Sequence, residues 1–242
     1  MNLTIHQNDD MFIGDHKHYA ECGRQLADFC EQASKITQVT DPIILELPCG
    51  YGRVTRHLAD RFNAARIHVA DIMKPAVDFS QETFGVVGHY IEDPIYEFSG
   101  LDNDMFDVAL MGSLITHLSE DAAKTVMKHF FMKVKRGGVG VVTTHGVLSR
   151  ARHAEGDWYQ VGNDAREHLM GEYDASRFGF VPYRNDHSSE KRTVEYIGAS
   201  YGVSLIPEAW MRATCAENGL KVIEYIQGGW DNHQDVFLIS RS

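Results

Sequence analysis

Positive charge is in short supply. The chain carries 23 Lys and Arg against 34 Asp and Glu, a formal net charge of −11. No basic run is long enough to track a phosphate backbone, so nucleic acid is not expected as a partner. Long apolar runs are missing as well. No stretch approaches the roughly 20 apolar residues of a membrane span, and the opening MNLTIHQNDD has neither the basic nor the apolar region of an export signal. The expectation is a soluble, cytoplasmic protein with no membrane insertion. Cysteine pairs are also lacking. Cys22, Cys30, Cys49 and Cys215 lie far apart with no C-x-x-C unit, which argues against a zinc site or a disulfide framework and for reduced thiols. There is no internal repeat and no low-complexity segment.

What is present is an alternation of two hydrophobic periods. An apolar run at 43–47 leads into a glycine turn, and Val54, Leu58 and Phe62 then recur at helical spacing. Strands are predicted at 66–70, 86–91, 106–112 and 138–145, with helices at 75–84, which has Pro in its first turn, and at 119–134. Strands alternating with helices of this length predict a parallel, doubly wound sheet. After His145 the pattern breaks down for about sixty residues rich in Tyr, Arg, His, Asp and Gly, long for a plain connection and read as a functional insertion, 147–206. A helix at 207–218 stopped by Gly219, then strands at 220–226 and 235–240 joined by a polar loop, complete a single domain over 1–242.

The stretch LELPCGYGR, 45–53, sits at the first strand end, where an open parallel sheet binds its ligands. Gly50 and Gly52 let a ligand approach the backbone, and the next helix offers free N–H groups. Asp71, at the end of the second strand and 21 residues after Gly50, has the spacing of an acid that takes ribose hydroxyls. A dinucleotide turn wants a third glycine, but Thr55 stands there. Glu46 would repel a pyrophosphate yet attract an ammonium or lie near a sulfonium. These features point to S-adenosyl-L-methionine as cofactor.

ILELPCGYGR, VADIM, FDVALMGSLITHL and KRGGVGVVTTHG resemble successive motifs of the class I S-adenosylmethionine-dependent methyltransferases, over roughly 15–145 and again over 207–240. The resemblance implies a mostly parallel, seven-stranded Rossmann-like sheet with an insertion after the fifth strand. Pro48 replaces the family's first glycine and stiffens the turn. By resemblance, Glu46, Pro48, Cys49, Gly50, Gly52 and Arg53 hold the methionine part, Asp71 the ribose, Ile72 and Met73 the adenine face, and Glu92 and Asp93 its edge. Met111, Gly112 and Ser113 line the floor near the methyl group. HYAECGRQL is similar to the family's lead-in, which assigns Tyr19, Gly23 and Arg24 to the cofactor, with Arg24 on its carboxylate. The other reading of this segment is a surface helix whose Tyr packs on the sheet.

A hydroxyl acceptor needs a base, and His has the right ordinary pKa. His145 ends the fifth strand, with Gly146 suggesting a tight turn that exposes the imidazole. His117 follows the fourth strand and either serves as base or braces the next helix. Asp231 and His233 lie in GGWDNHQDV, 228–236, a composition suited to a binding rim, with Trp230 as an aromatic platform and Gln234 and Asp235 alongside. The tail resembles a bacterial subgroup associated with surface polysaccharides, which makes a sugar or other small molecule the expected acceptor. Trp158, Tyr159, Tyr173, Tyr183, Arg184 and Tyr201 form either a lid over it or the packing of a subdomain or homodimer contact. No metal is expected, since no acid or Cys partners His153, His168 and His187 at ligand spacing. The leading reading is a metal-free O-methyltransferase. N-methylation or aminopropyl transfer on the same fold, and a binding protein without turnover, are the alternatives.

Overall fold

The computed structural model describes residues 1–183 and 200–242. A long helix, α1 (His16–Thr37), precedes the first strand. Asp15 caps it, its carboxylate accepting from the N–H groups of Lys17 and His18 at 2.9 and 3.0 Å. Its buried residues, Tyr19, Cys22, Gly23, Leu26, Ala27, Cys30 and Ala33, recur at three and four and make one inward stripe.

The sheet follows the expected alternation: β1 (Ile44–Glu46), α2 (Thr55–Arg61), β2 (Ile67–Asp71), α3 (Lys74–Phe84), β3 (Val87–Tyr90), β4 (Phe106–Met111), α4 (Glu120–Lys133) and β5 (Val134–Thr144). The chain ends with α7 (Glu208–Glu217), β8 (Leu220–Trp230) and β9 (Gln234–Arg241). The seven strands stand in the order β3-β2-β1-β4-β5-β9-β8, and the pairs from β3 to β5 are parallel. Both β1 and β4 are buried throughout, as central strands of a two-sided sheet must be. From β1 the chain winds outward through β2 and β3, then returns to β4 on the other side of β1. That reversal makes the carboxyl end of β1 a switch point.

Two compact units divide the chain. One comprises Met1–Gly112, His129–Val142 and Leu238–Ser242, and the other Ser113–Lys128 and Thr143–Phe237. Where no pattern was expected after residue 145, the second unit holds α5 (Val147–Glu155), α6 (Asn163–Asp174) and an antiparallel pair, β6 (Gly179–Pro182) with β7 (Gly202–Leu205). Sequence pattern missed both helices because they bury so little. Only Ser149 and His153 are buried on α5, and only Leu169 on α6. Their core is Val161, Leu169, Val181, Tyr183, Val203 and Leu205. Arg184 and His187, named above, lie outside the described residues.

The loop expected between the last two strands is a two-residue turn. Asp231 and Asn232 have φ of 55° and 47°, and the His233 N–H donates to the Trp230 carbonyl at 3.0 Å. Both central residues with positive φ define the type I′ turn that matches strand twist, and Asp and Asn tolerate it. Among the described residues no helix is long and apolar enough to cross a membrane.

Candidate active site

In the first unit the turn after β1 is held from behind by Asp71. One carboxylate oxygen accepts from the Gly50 N–H at 2.8 Å and the other from the Met73 N–H at 2.9 Å. Gly50 has φ +50° and open space where a β-carbon would be, so its exposed side is free for a ligand. Glu46, also buried, accepts from the Thr55 hydroxyl at 2.7 Å. Burial, with Asp71 nearby, pushes its carboxyl up to about 8. Asp71 is raised in the same direction by burial, against the hydrogen bonds it receives. Neither acid has an ion-pair partner among the described residues. Two buried carboxyls not ion-paired among the described residues, although the charges of Arg53 and Arg56 reach Glu46, fit the ammonium and sulfonium of S-adenosylmethionine beside a glycine turn. That fit is electrostatic: a cation brought to them lowers the cost of ionising both.

Tyr19 and Gly23 of α1 also meet this turn. Gly23 lies so close to the Arg53 backbone carbonyl that a β-carbon could not be accommodated. The Tyr19 hydroxyl donates to Asp9 in a short hydrogen bond and accepts from Arg56 Nη2 at 3.2 Å, while Arg56 Nε donates to the Gly52 carbonyl at 3.0 Å. Buried Arg56 thus ties the N-terminal segment to the turn. Sequence reasoning missed it, because an Arg one helical turn beyond the glycines reads as an exposed cation.

The placement of two expected cofactor contacts, Arg24 and Met111, does not favour their assignment. Arg24 points away from the turn. It lies on the exposed face of α1, paired with Glu21 and Asp28 at helical spacing, because the neighbouring Gly23 takes the inward face. Met111 is completely buried in β4 and offers no side-chain surface to a ligand. Glu92 and Asp93 are exposed just after β3, Ile72 and Met73 are half-buried after β2, and Pro48 and Arg53 are half-buried flanking buried Cys49.

Ser113 belongs to the second unit, where a polar chain runs through it. The Ser113 N–H donates to Thr143 Oγ1 at 2.8 Å, and Thr143 Oγ1 donates to Gln234 Oε1 at 2.6 Å. Gln234 Nε2 donates to Ser113 Oγ at 2.9 Å and lies 3.5 Å from His145 Nε2. The Thr143 contact fixes the amide orientation of Gln234.

Three of the four expected catalytic residues converge here. His145 Nδ1 is 3.1 Å from the Ser204 carbonyl and its Nε2 is 3.0 Å from the Tyr159 hydroxyl. Tyr159 is 3.3 Å from His233 Nε2. The His117 ring stands 5.8 Å from that of His145, and its Nδ1 meets the Tyr183 hydroxyl at 2.8 Å and the Gly202 carbonyl at 3.1 Å. Buried His153 stacks on Tyr159 with ring centroids 5.4 Å apart. Asp231 occupies the hairpin turn, where its charge raises the His233 pKa against a larger effect of burial.

The expectation that Gly146 exposes His145 is overturned. His145 is 0 % exposed, and Gly146 is required because a β-carbon would collide with the Asp235 carboxylate. Asp235 in turn accepts from the Tyr225 hydroxyl and the Gly228 N–H, each at 2.8 Å, so it braces the hairpin. Trp230 is buried at the end of β8 and is not an open platform. Burial lowers the pKa of His117, His153 and His233 to about 4 and that of His145 well below its ordinary value, with the neighbouring imidazoles adding to the last. All four rings are neutral at neutral pH, able to accept protons rather than hold them.

Residues 44–138 match a family described as a methyltransferase domain. No curated protein matches the sequence. Among solved structures, the chain is similar to a 1,6-didemethyltoxoflavin-N1-methyltransferase from Burkholderia thailandensis, with TM-score 0.59 and 12% identity over 91% of this chain and 78% of that one. An S-adenosylmethionine-dependent methyltransferase from Clostridium acetobutylicum gives 0.59 and 12% over 89% and 90%. A putative methyltransferase from Haloferax volcanii, in complex with the Trm112 activator, gives 0.58 and 12% over 98% and 99%. At such identities these likenesses show the fold. The matched segment contains the glycine turn, Asp71 and β4, and its sheet order is that of class I. Residues 44–138 thus carry a methyltransferase-domain match, on a fold shared with S-adenosylmethionine-dependent methyltransferases.

Proposed function

We propose that the protein methylates a hydroxyl of a small molecule, sugars and glycans included, without a metal. The observation that carries this reading is the set of neutral imidazoles, His117, His145 and His233, gathered around the hydroxyls of Tyr159 and Tyr183. An oxygen acceptor must lose a proton as it is methylated, and an amine lone pair need not lose one beforehand. Bound S-adenosylmethionine supplies an electrophilic methyl group. Glu46 and Asp71 balance its positive charges, Asp71 also accepts from the ribose hydroxyls, and Gly50 leaves room for the methionine part. Tyr201, whose ring lies 5.4 Å from that of His117, and Tyr183 give the acceptor aromatic walls and limit water.

N-methylation is the second reading, favoured by the name of the Burkholderia fold neighbour. Incubation with methyl-labelled S-adenosylmethionine and a panel of phenols, sugars and amines, followed by mass spectrometry, separates the two. Label on oxygen is expected. Label on nitrogen alone, or on no acceptor, overturns the proposal.

A further inference from the structure

We propose that Tyr159 is the catalytic residue that takes the acceptor's proton, while its own hydroxyl proton passes to His145 or His233. This rests on the O-methylation reading and identifies the base within that site.

Hydrogen-bond directions fix the protonation of the trio. The Ser204 carbonyl can only accept, so His145 carries its proton on Nδ1 and presents a lone pair on Nε2. Gln234 Nε2, a donor whose orientation Thr143 sets, faces that same lone pair. On the other side, Ser149 Oγ donates to the His233 backbone carbonyl at 2.8 Å. Its oxygen is then left to accept from His233 Nδ1 at 3.3 Å, so His233 Nε2 is also a lone pair. The Tyr159 hydroxyl therefore sits between two acceptors with a single proton to give.

Access distinguishes the members. His145 is wholly buried with both nitrogens engaged and cannot touch a substrate. Tyr159 is half-buried, its ring backed by His153. A proton from the acceptor hydroxyl arrives on the Tyr159 oxygen as the phenolic proton leaves for an imidazole Nε2. A lone pair of the acceptor oxygen forms the new O–C bond as the methyl–sulfur bond breaks and its electron pair leaves on S-adenosylhomocysteine. The O–H pair stays on the ether oxygen, Tyr159 keeps one proton throughout, and the imidazole becomes imidazolium. His145 acts as a positioning residue. His233, half-buried, is the member from which the proton returns to water.

Among the described residues, the titratable groups shown around Tyr159 are His145, His233, His153, His117 and Tyr183. Arg152 and Asp231 act on His233, and Asp157 and Arg166 on His153. None of the carboxylates is hydrogen-bonded to His145 or to His233 among the bonds described.

The test uses full-length protein labelled with 15N-histidine, with S-adenosylhomocysteine present, in wild-type and Tyr159→Phe forms. Long-range 1H–15N spectra should show His145 and His233 as Nδ1–H tautomers, with both Nε2 signals moving in the variant. An Nε2–H tautomer at His145, or unmoved Nε2 signals, overturns the relay. With the hydroxyl acceptor found by the panel, Tyr159→Phe should lower kcat by about 10²- to 10⁴-fold and abolish the acid limb of the kcat/KM profile, at unchanged S-adenosylhomocysteine affinity. A kcat within about threefold of wild type removes the role from Tyr159. If the Phe variant does not fold, the double variant His145→Asn/His233→Asn, which deletes both Nε2 acceptors, should give the same kcat loss, and wild-type kcat there overturns the relay. A product methylated on nitrogen refutes the O-methylation reading, while the tautomers still decide the hydrogen-bond geometry.

Discussion

Gly23 of α1 packs directly on the backbone carbonyl of Arg53 in the glycine turn, with no room for a β-carbon between them. A methyl group there must push the helix off the turn. Gly23→Ala should destabilise the protein by roughly 1–3 kcal/mol, despite the better helix propensity of alanine. Thermal melts check this, and an unchanged or higher Tm would mean that α1 can shift freely.

Asp71 anchors the turn, and the proposed function also gives it the ribose of the cofactor. Asp71→Ala loses the acceptors for the Gly50 and Met73 N–H groups. Charge-assisted hydrogen bonds contribute about 1.5–3 kcal/mol, so S-adenosylhomocysteine should bind about 10- to 150-fold more weakly. Calorimetry giving wild-type affinity would remove the ribose assignment.

His153 is buried, and both ring nitrogens lack a hydrogen-bond partner. His153→Phe keeps the stack on Tyr159 and removes two unsatisfied polar atoms, which should raise stability by roughly 1–3 kcal/mol at neutral pH. The acid dependence follows in sign. The folded-state pKa is lowered from 6.5 to about 4, so the unfolded chain binds the proton first. Wild-type stability therefore falls as the pH drops from about 6.5 to about 4, and the Phe variant should lose one proton's share of that slope. Urea titrations at pH 7.5 and 5.5 measure both effects. A Phe variant less stable than wild type would show that the nitrogens are paired in solution.

Asp231 is a candidate base by sequence, but it sits at a turn position with φ 55°. Asp231→Gly should preserve the hairpin, because glycine adopts positive φ without strain. With the acceptor in hand, a kcat reduced less than about threefold is expected from a turn role, whereas a loss of about 10²-fold or more would restore Asp231 to the chemistry.

The glycine turn and the acids beside it were legible because local rules carry them. Glu46, Gly50, Gly52 and Asp71 lie at strand ends whose hydrophobic period is strong, and a ligand turn needs acids and glycines at fixed spacing. Arg24 failed because proximity in sequence does not say which face of a helix a residue takes, and the face was decided by the Gly23 contact. His145 was located correctly at a strand end, yet its exposure was misjudged, since Gly146 serves the approach of Asp235.

Alone, the sequence determined the alternating α/β order, the turn after β1 and the acids beside it, because period, turn chemistry and spacing act over a few residues. The tertiary structure decided the rest. It brought His117, His145, Tyr159, Tyr183 and His233, separated by up to 116 positions, into one cluster of hydrogen bonds and ring contacts. Burial then set their protonation. No local pattern encodes either outcome, since desolvation depends on what the whole chain packs around a group.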